Sequence, residues 1–274
     1  WKGARPPAMG YETLDLRREG AIAWLTLNRP EALNAMSRRL VSELRDFLSG
    51  LPQERDLRVV VLRGAGRAFC AGLDLKESSD AGGPGGGPSA TLRMQRRISE
   101  LPILMRRAPQ PIIACVQGPA CGGGFALALA SDVRLAGESA RMNAAFIRIG
   151  LSACDIGVSY FLPRLVGASV ASELLLTGRF IDAQRALATG LVSAVVPDAE
   201  LEAEARRLAE EMLATSPLGL RLTKECLAAS LDAGSLEQVI AMEDRNQVLC
   251  TQTSDMVEGV RAFLEKRPPA YRDA

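Results

Sequence analysis

The chain has 274 residues, of which 47% are hydrophobic and 24% charged, and its 33 Lys and Arg against 32 Asp and Glu leave a net charge of +1. That balance gives no electrostatic footprint for nucleic acid, and the complete absence of histidine excludes Ser-His-Asp, Cys-His and His-ligated metal chemistry in their usual forms. Six irregularly spaced cysteines without a C-x-x-C point to reduced thiols and a cytoplasmic compartment, and no run of about eighteen apolar residues offers a membrane span.

In chain order, Trp1 to Ala8 lacks the apolar core of a secretory signal and precedes Met9, so residues 1–8 are read as an N-terminal extension or added residues. Alternation predicts a strand over 21–27, and Leu40, Leu44, Phe47 and Leu51 recur at helical spacing after Ser37, a candidate N-cap. A strand over 59–62 follows. The Gly- and Pro-rich tract over 78–89 is predicted to be a mobile loop rather than a phosphate cradle, because no Lys-Ser/Thr follows it. The order resumes with a helix over 91–105, a strand over 112–116, a helix over 125–130 and a strand over 133–136. This succession is α/β. From Asp198 onward the pattern is helical, with Leu201, Ala205, Leu208, Met212 and Leu213 on one face and further helices over 218–229, 236–249 and 254–266. The expected division is a core over 9–197 and a helical region over 198–274.

The chemistry gathers at two glycine turns. Gly122 to Gly124 join the 112–116 strand to an apolar helix, where free amides and the positive end of the helix dipole meet. The competing reading is a tight turn that needs glycine for positive φ or close packing. A second small-residue turn, Ala71-Gly72-Leu73, lies in Arg67-Ala-Phe-Cys-Ala-Gly-Leu-Asp-Leu-Lys-Glu77 after the 59–62 strand. The N–H groups of Leu73 and Gly123 are the predicted pair of donors to a thioester enolate oxygen, a device in which one lost donor typically costs about 100-fold to 1000-fold.

These two motifs, with Leu27-Asn-Arg-Pro-Glu-Ala-Leu-Asn-Ala35, Leu176-Thr-Gly-Arg-Phe-Ile-Asp-Ala183, Gly190-Leu-Val-Ser193 and Phe263-Leu-Glu-Lys-Arg267, resemble the crotonase (enoyl-CoA hydratase/isomerase) family over nearly the whole chain. The resemblance implies a crotonase-type ββα spiral core with a C-terminal helical trimerisation region, and homotrimers that pair into hexamers. It implies an acyl-CoA substrate and no separate cofactor or metal. By the same resemblance, Ala32, Leu33, Ala71, Asp74, Leu75 and Lys76 line the pantetheine and adenine. Arg29, Lys76 and Lys266 are then the cations near phosphate, and Phe263 with Lys266 approach the CoA of a neighbouring subunit. Phe146 shapes the acyl pocket.

Both positions at which the family's hydratases carry a catalytic Glu are apolar here, Ala126 and Phe146. Water addition needs a base for water and an acid for the α-carbon, each contributing roughly 100-fold to 10,000-fold. Asp155, counted back from Leu162-Pro-Arg-Leu-Val-Gly167, stands where dienoyl-CoA isomerases carry an Asp. It is read either as a proton shuttle of raised pKa or as a helix cap. The first reading of function is an isomerase-type enzyme on an unsaturated acyl-CoA. The alternatives are a hydratase with a non-standard carboxylate such as Glu77 or Asp155, and a non-catalytic acyl-CoA-binding protein. A nicotinamide fingerprint after the 59–62 strand fails at Phe69, where the motif wants Gly or Ala.

Overall fold

The computed structural model describes residues 10–80 and 87–273. Its centre is a six-stranded sheet in the order β1 (Leu14–Glu19), β2 (Ile22–Leu27), β3 (Val59–Gly64), β4 (Ile112–Val116), β6 (Val133–Gly137) and β9 (Ala194–Val196). β1 is antiparallel to β2 and every other pairing is parallel. A small second sheet joins β5 (Pro119–Cys121), β7 (Arg141–Asn143) and β8 (Ile181–Asp182).

β2 is buried along its whole length, as a strand covered on both faces must be. Its side chains alternate between two cores. Ala23, Leu25 and Leu27 join the larger one, with Val60, Leu62 and residues of α1 (Arg38–Gly50), α3 (Gly87–Arg107), α4 (Gly123–Ala130) and α5 (Val158–Thr177). Ile22 and Trp24 join the smaller one, with Val59, Val61 and Leu201, Ala205 and Ala209 of α7 (Leu201–Leu213). The remaining helices are α2 (Leu75–Asp80), α6 (Ala183–Ala188), α8 (Pro217–Ser230), α9 (Leu236–Thr251) and α10 (Ser254–Glu265).

Several expectations hold. Ser37 caps α1, its Oγ accepting from Leu40 N at 3.1 Å. The predicted strands are present, and β3 runs two residues further than expected, to Gly64. Others need correction. The edge strand β1 escaped notice because only its first residue is buried, so it shows no apolar alternation. The tract over 78–89 is helical at both flanks, closing α2 and opening α3 four residues earlier than predicted; its centre, 81–86, and residues 1–8 lie outside the described residues. α7, the first long helix of the expected helical region over 198–274, packs on the sheet and completes the second core. Lys224 of α8 is buried and ties that helix to the body, whereas α9 and α10 expose Leu236, Val248, Phe263 and Leu264. No described helix is long and apolar enough to cross a membrane.

Candidate active site

Two loops leave the carboxyl end of the sheet and are joined by backbone hydrogen bonds. Ala71 N donates to Leu33 O at 3.0 Å, Met36 N to Gly72 O at 2.7 Å, and Asp74 N to Met36 O at 3.2 Å. Leu33 and Asn34 adopt left-handed φ of 51° and 56°, a conformation that costs a side-chain-bearing residue and persists only where surroundings enforce it. Here Asn34 supplies the enforcement. It is fully buried, its Nδ2 donates to Ala65 O at 2.9 Å and Ala68 O at 2.8 Å, and its Oδ1 accepts from Arg29 N at 2.9 Å.

The same zipper brings Arg29, Ala32, Leu33, Ala71, Asp74, Leu75 and Lys76 into one neighbourhood. Arg29 is put to a use not foreseen: its Nη1 donates to Ala35 O at 2.6 Å and pairs with Asp74 Oδ2 at 3.0 Å. Burial pushes the Asp74 carboxyl up, but the Arg29 guanidinium and the backbone N–H groups of Glu77 and Lys76 outweigh it and hold the group below the usual carboxylate range. Leu75 and Lys76 stand exposed in the first turn of α2. Phe263 and Lys266 are not gathered in. They close α10, which packs on α9; Phe263 is 82% exposed and Lys266 caps the helix in a left-handed turn.

The second glycine turn is laced against the first. Cys121 N donates to Cys70 O at 2.9 Å, and Gly122 N to Asn143 O at 2.9 Å. Gly72 has φ +95°, and a β-carbon there would stand 2.8 Å from Cys121 O and 3.6 Å from Gly123 N. The Gly72–Leu73 peptide therefore abuts the amino end of α4. Neither Leu73 N–H nor Gly123 N–H donates to an acceptor among the described residues. The packing explanation for the glycines holds: a β-carbon on Gly124 would lie 2.2 Å from Cys70 O, and one on Gly123 would lie 2.7 Å from Met36 Sδ.

Around these amides the walls are apolar. Phe146 is buried with its ring on Gly122, and Ile156 Cδ1 is 3.6 Å from the β-carbon position of Gly123. Ala126 is fully buried inside α4. Glu77 is committed elsewhere, its Oε2 accepting from Arg38 N at 2.8 Å beside the start of α1. The carboxylate that borders Ile156 is Asp155, half-buried, whose Oδ1 accepts from Gln95 Nε2 at 2.6 Å and from Ile156 N at 2.8 Å. Burial pushes its pKa up, and those two hydrogen bonds oppose the rise without cancelling it. The helix-cap reading of Asp155 fails: the N-cap of α5 is Gly157, no side chain caps it, and the Asp155 contribution is its backbone carbonyl to Val158 N at 2.9 Å. Tyr160, five positions on, is tied through its hydroxyl to Arg106 and Asp232.

Gln95, Ile156 and Met36 were not singled out from sequence. Gln95 sits in Arg93-Met-Gln-Arg-Arg97 of α3. Arg93, Arg96 and Arg97 are exposed, but Gln95 turns inward because it continues the buried stripe of Ile98, Leu101 and Met105 by one helical turn. That spacing was available in the sequence.

Comparison with known proteins agrees with this architecture. A family model described as enoyl-CoA hydratase/isomerase matches residues 17–274. A "Probable enoyl-CoA hydratase" of Mycobacterium tuberculosis is 41% identical over 255 residues, covering 92% of this chain and 90% of that protein. A "1,2-epoxyphenylacetyl-CoA isomerase" of Escherichia coli is 35% identical over 254 residues, covering 92% and 95%. The crystal structure of a probable enoyl-CoA hydratase/isomerase from Mycobacterium abscessus superposes with a TM-score of 0.88 at 39% identity, covering 96% and 99%.

Proposed function

The chain belongs to the enoyl-CoA hydratase/isomerase family, and from that premise we propose that it shifts a double bond in an unsaturated acyl-CoA, with Asp155 as the proton shuttle. The observation that carries this reading is a pair of amides, Leu73 N–H and Gly123 N–H, without an acceptor among the described residues, beside walls that offer Asp155 in place of the two hydratase carboxylates. Thioester oxygen between the two amides gains stabilisation as it becomes an enolate. Asp155 removes a proton from one carbon, and the same carboxyl returns it at another. Isomerisation needs no activated water, so it survives the loss of a water-activating Glu.

The exposed apolar faces of α9 and α10 support assembly into a trimer, in which Phe263 and Lys266 would reach the CoA of an adjacent subunit. CoA enters as part of the substrate. The name of the Mycobacterium tuberculosis relative favours hydration as the second reading.

Incubation with 2-enoyl-CoA and dienoyl-CoA esters in deuterated water, for the parent and Asp155→Asn, separates the readings. Deuterium uptake or double-bond migration that disappears in Asp155→Asn supports the isomerase. Water addition that persists in Asp155→Asn replaces it with a hydratase. Tight binding of CoA esters without deuterium uptake makes the chain a binding protein.

A further inference from the structure

We propose that Gln95 is a positioning residue for Asp155: its amide and the Ile156 N–H both donate to Oδ1, which leaves Oδ2 as the oxygen presented for proton transfer. The inference rests on the reading of Asp155 as acid and base.

The two donors come from independent places. Ile156 N is the adjacent peptide, held in a left-handed φ of 50°, and Gln95 lies on α3, 60 positions away in the chain. Together they saturate Oδ1 and fix the carboxylate plane. Oδ2 has no donor among the described residues. No ion pair joins Asp155 to Arg93, Arg96 or Arg97 of α3, to Arg148, or to Arg164 of α5. The carboxylate is thus governed by burial and these two hydrogen bonds, and the Gln95 bond is the one a side chain supplies.

Charge and protons balance through Oδ2 alone. A C–H bond breaks as Oδ2–H forms, and the electron pair passes to the thioester oxygen. Oδ2–H then breaks as a new C–H bond forms at the distal carbon, and the pair returns through the chain. One fixed oxygen serves both carbons, so the proton leaves and re-enters on one face of the acyl chain.

The test is a pH titration of the Asp155 side-chain carboxyl by NMR in the full chain labelled at aspartate carboxyl carbons, the resonance being assigned by its loss in Asp155→Asn. In Gln95→Leu the titration moves to higher pH, because a donor to the charged form is gone. In Gln95→Glu, an isostere that retains the packing, it also moves up and broadens into two steps as two carboxyls share the site. Deuterium exchange into 3-hexenoyl-CoA, followed in parallel, falls by up to about 100-fold in kcat with KM little changed. A titration unmoved in both variants overturns the role of Gln95 whether or not the probe turns over. Exchange that persists in Asp155→Asn overturns the acid/base reading itself. Exchange abolished in Asp155→Asn but at the parental rate and pH profile in both Gln95 variants removes the inference about Gln95 alone.

Discussion

The ring of Phe146 rests on Gly122, with Cε1 3.4 Å and Cζ 3.6 Å from the place a β-carbon on that glycine would occupy. Gly122 carries φ +51° and ψ −114°, a conformation open to glycine and closed to L-residues, and it is this turn that aims Gly123 N–H out of α4. Where the hydratases of the family place a second carboxylate, this chain has a phenyl ring that supports the turn instead. The position serves packing here.

Gly122→Ala should therefore disable the site rather than merely slow it. The substitution meets forbidden backbone geometry, with the added methyl in ordinary contact with Phe146, and relief by rotating the turn misaims Gly123 N–H. Loss of one such donor costs on the order of 100-fold to 1000-fold in kcat. Deuterium exchange with an enoyl-CoA, measured on protein whose circular dichroism matches the parent, is the check; exchange within a few-fold of the parent would remove Gly123 N–H from the mechanism.

A pH profile of kcat/KM should show an acid limb above the ordinary range of an aspartate. Asp155 must be ionised to accept a proton, and burial raises its folded-state pKa against the hydrogen bonds from Ile156 and Gln95. Activity is full above that raised value and falls as pH drops through it. The chain has no histidine, so no imidazole can produce the limb. Asp155→Asn should abolish activity at every pH, and a limb at the ordinary aspartate value would mean that Asp155 titrates in water.

Much of the site was legible because glycine turns, strand ends and the Arg29–Asn34 loop are local features, and local sequence carries them. Leu73 and Gly123 fall where strand-to-helix turns put them. What sequence could not carry were contacts between distant elements: Gln95 on Asp155, Met36 on Gly123, and the capture of Arg29 by Asp74. The packing partner of α7 was hidden for the same reason. The helix's apolar face was evident, but a face does not say whether it meets its own sheet or another subunit, and here Leu201, Ala205 and Ala209 meet Ile22, Trp24 and Val61.

Lys224→Met should be destabilising although it lies in no site. The buried Nζ pairs with Asp132 Oδ2 at 2.7 Å and donates to Gln110 O at 2.8 Å and Met105 O at 3.0 Å. Burial pushes the Lys224 pKa down while Asp132 pushes it up. Methionine fills the space but leaves the two carbonyls without the ammonium, while Asp132 is exposed and keeps Ile112 N at 2.7 Å as a donor. The cost is then that of buried carbonyls losing a donor, about 1–3 kcal/mol. Chemical denaturation of the parent and Lys224→Met measures it, and a difference below about 1 kcal/mol would mean that water replaces the ammonium.

Asp74→Asn should separate loop order from catalysis through its dependence on pH. Asp74 binds Arg29 Nη1 at 3.0 Å and accepts from Glu77 N at 3.3 Å, and its own N–H reaches Met36 O at 3.2 Å. Leu73, whose amide faces the enolate oxygen in the proposed mechanism, is the residue immediately before it. The folded state holds the Asp74 carboxyl below its usual pKa, because Arg29 and the backbone donors outweigh burial. Its stabilisation is therefore complete above the unfolded-state value and is lost as pH falls through the lower, folded-state value. Asparagine keeps an acceptor for Glu77 N but forfeits the charge pair at every pH. The stability gap between parent and Asp74→Asn should be constant near neutrality and close in acid, and at neutral pH the variant should lose kcat more than affinity for a CoA ester as Leu73 N–H loosens. Denaturation midpoints collected from pH 7 downward, beside steady-state kinetics, test both halves. A gap that stays open in acid would mean that Asp74 acts by shape rather than charge, and a change confined to affinity would place the Arg29–Asp74 pair at CoA and away from the enolate.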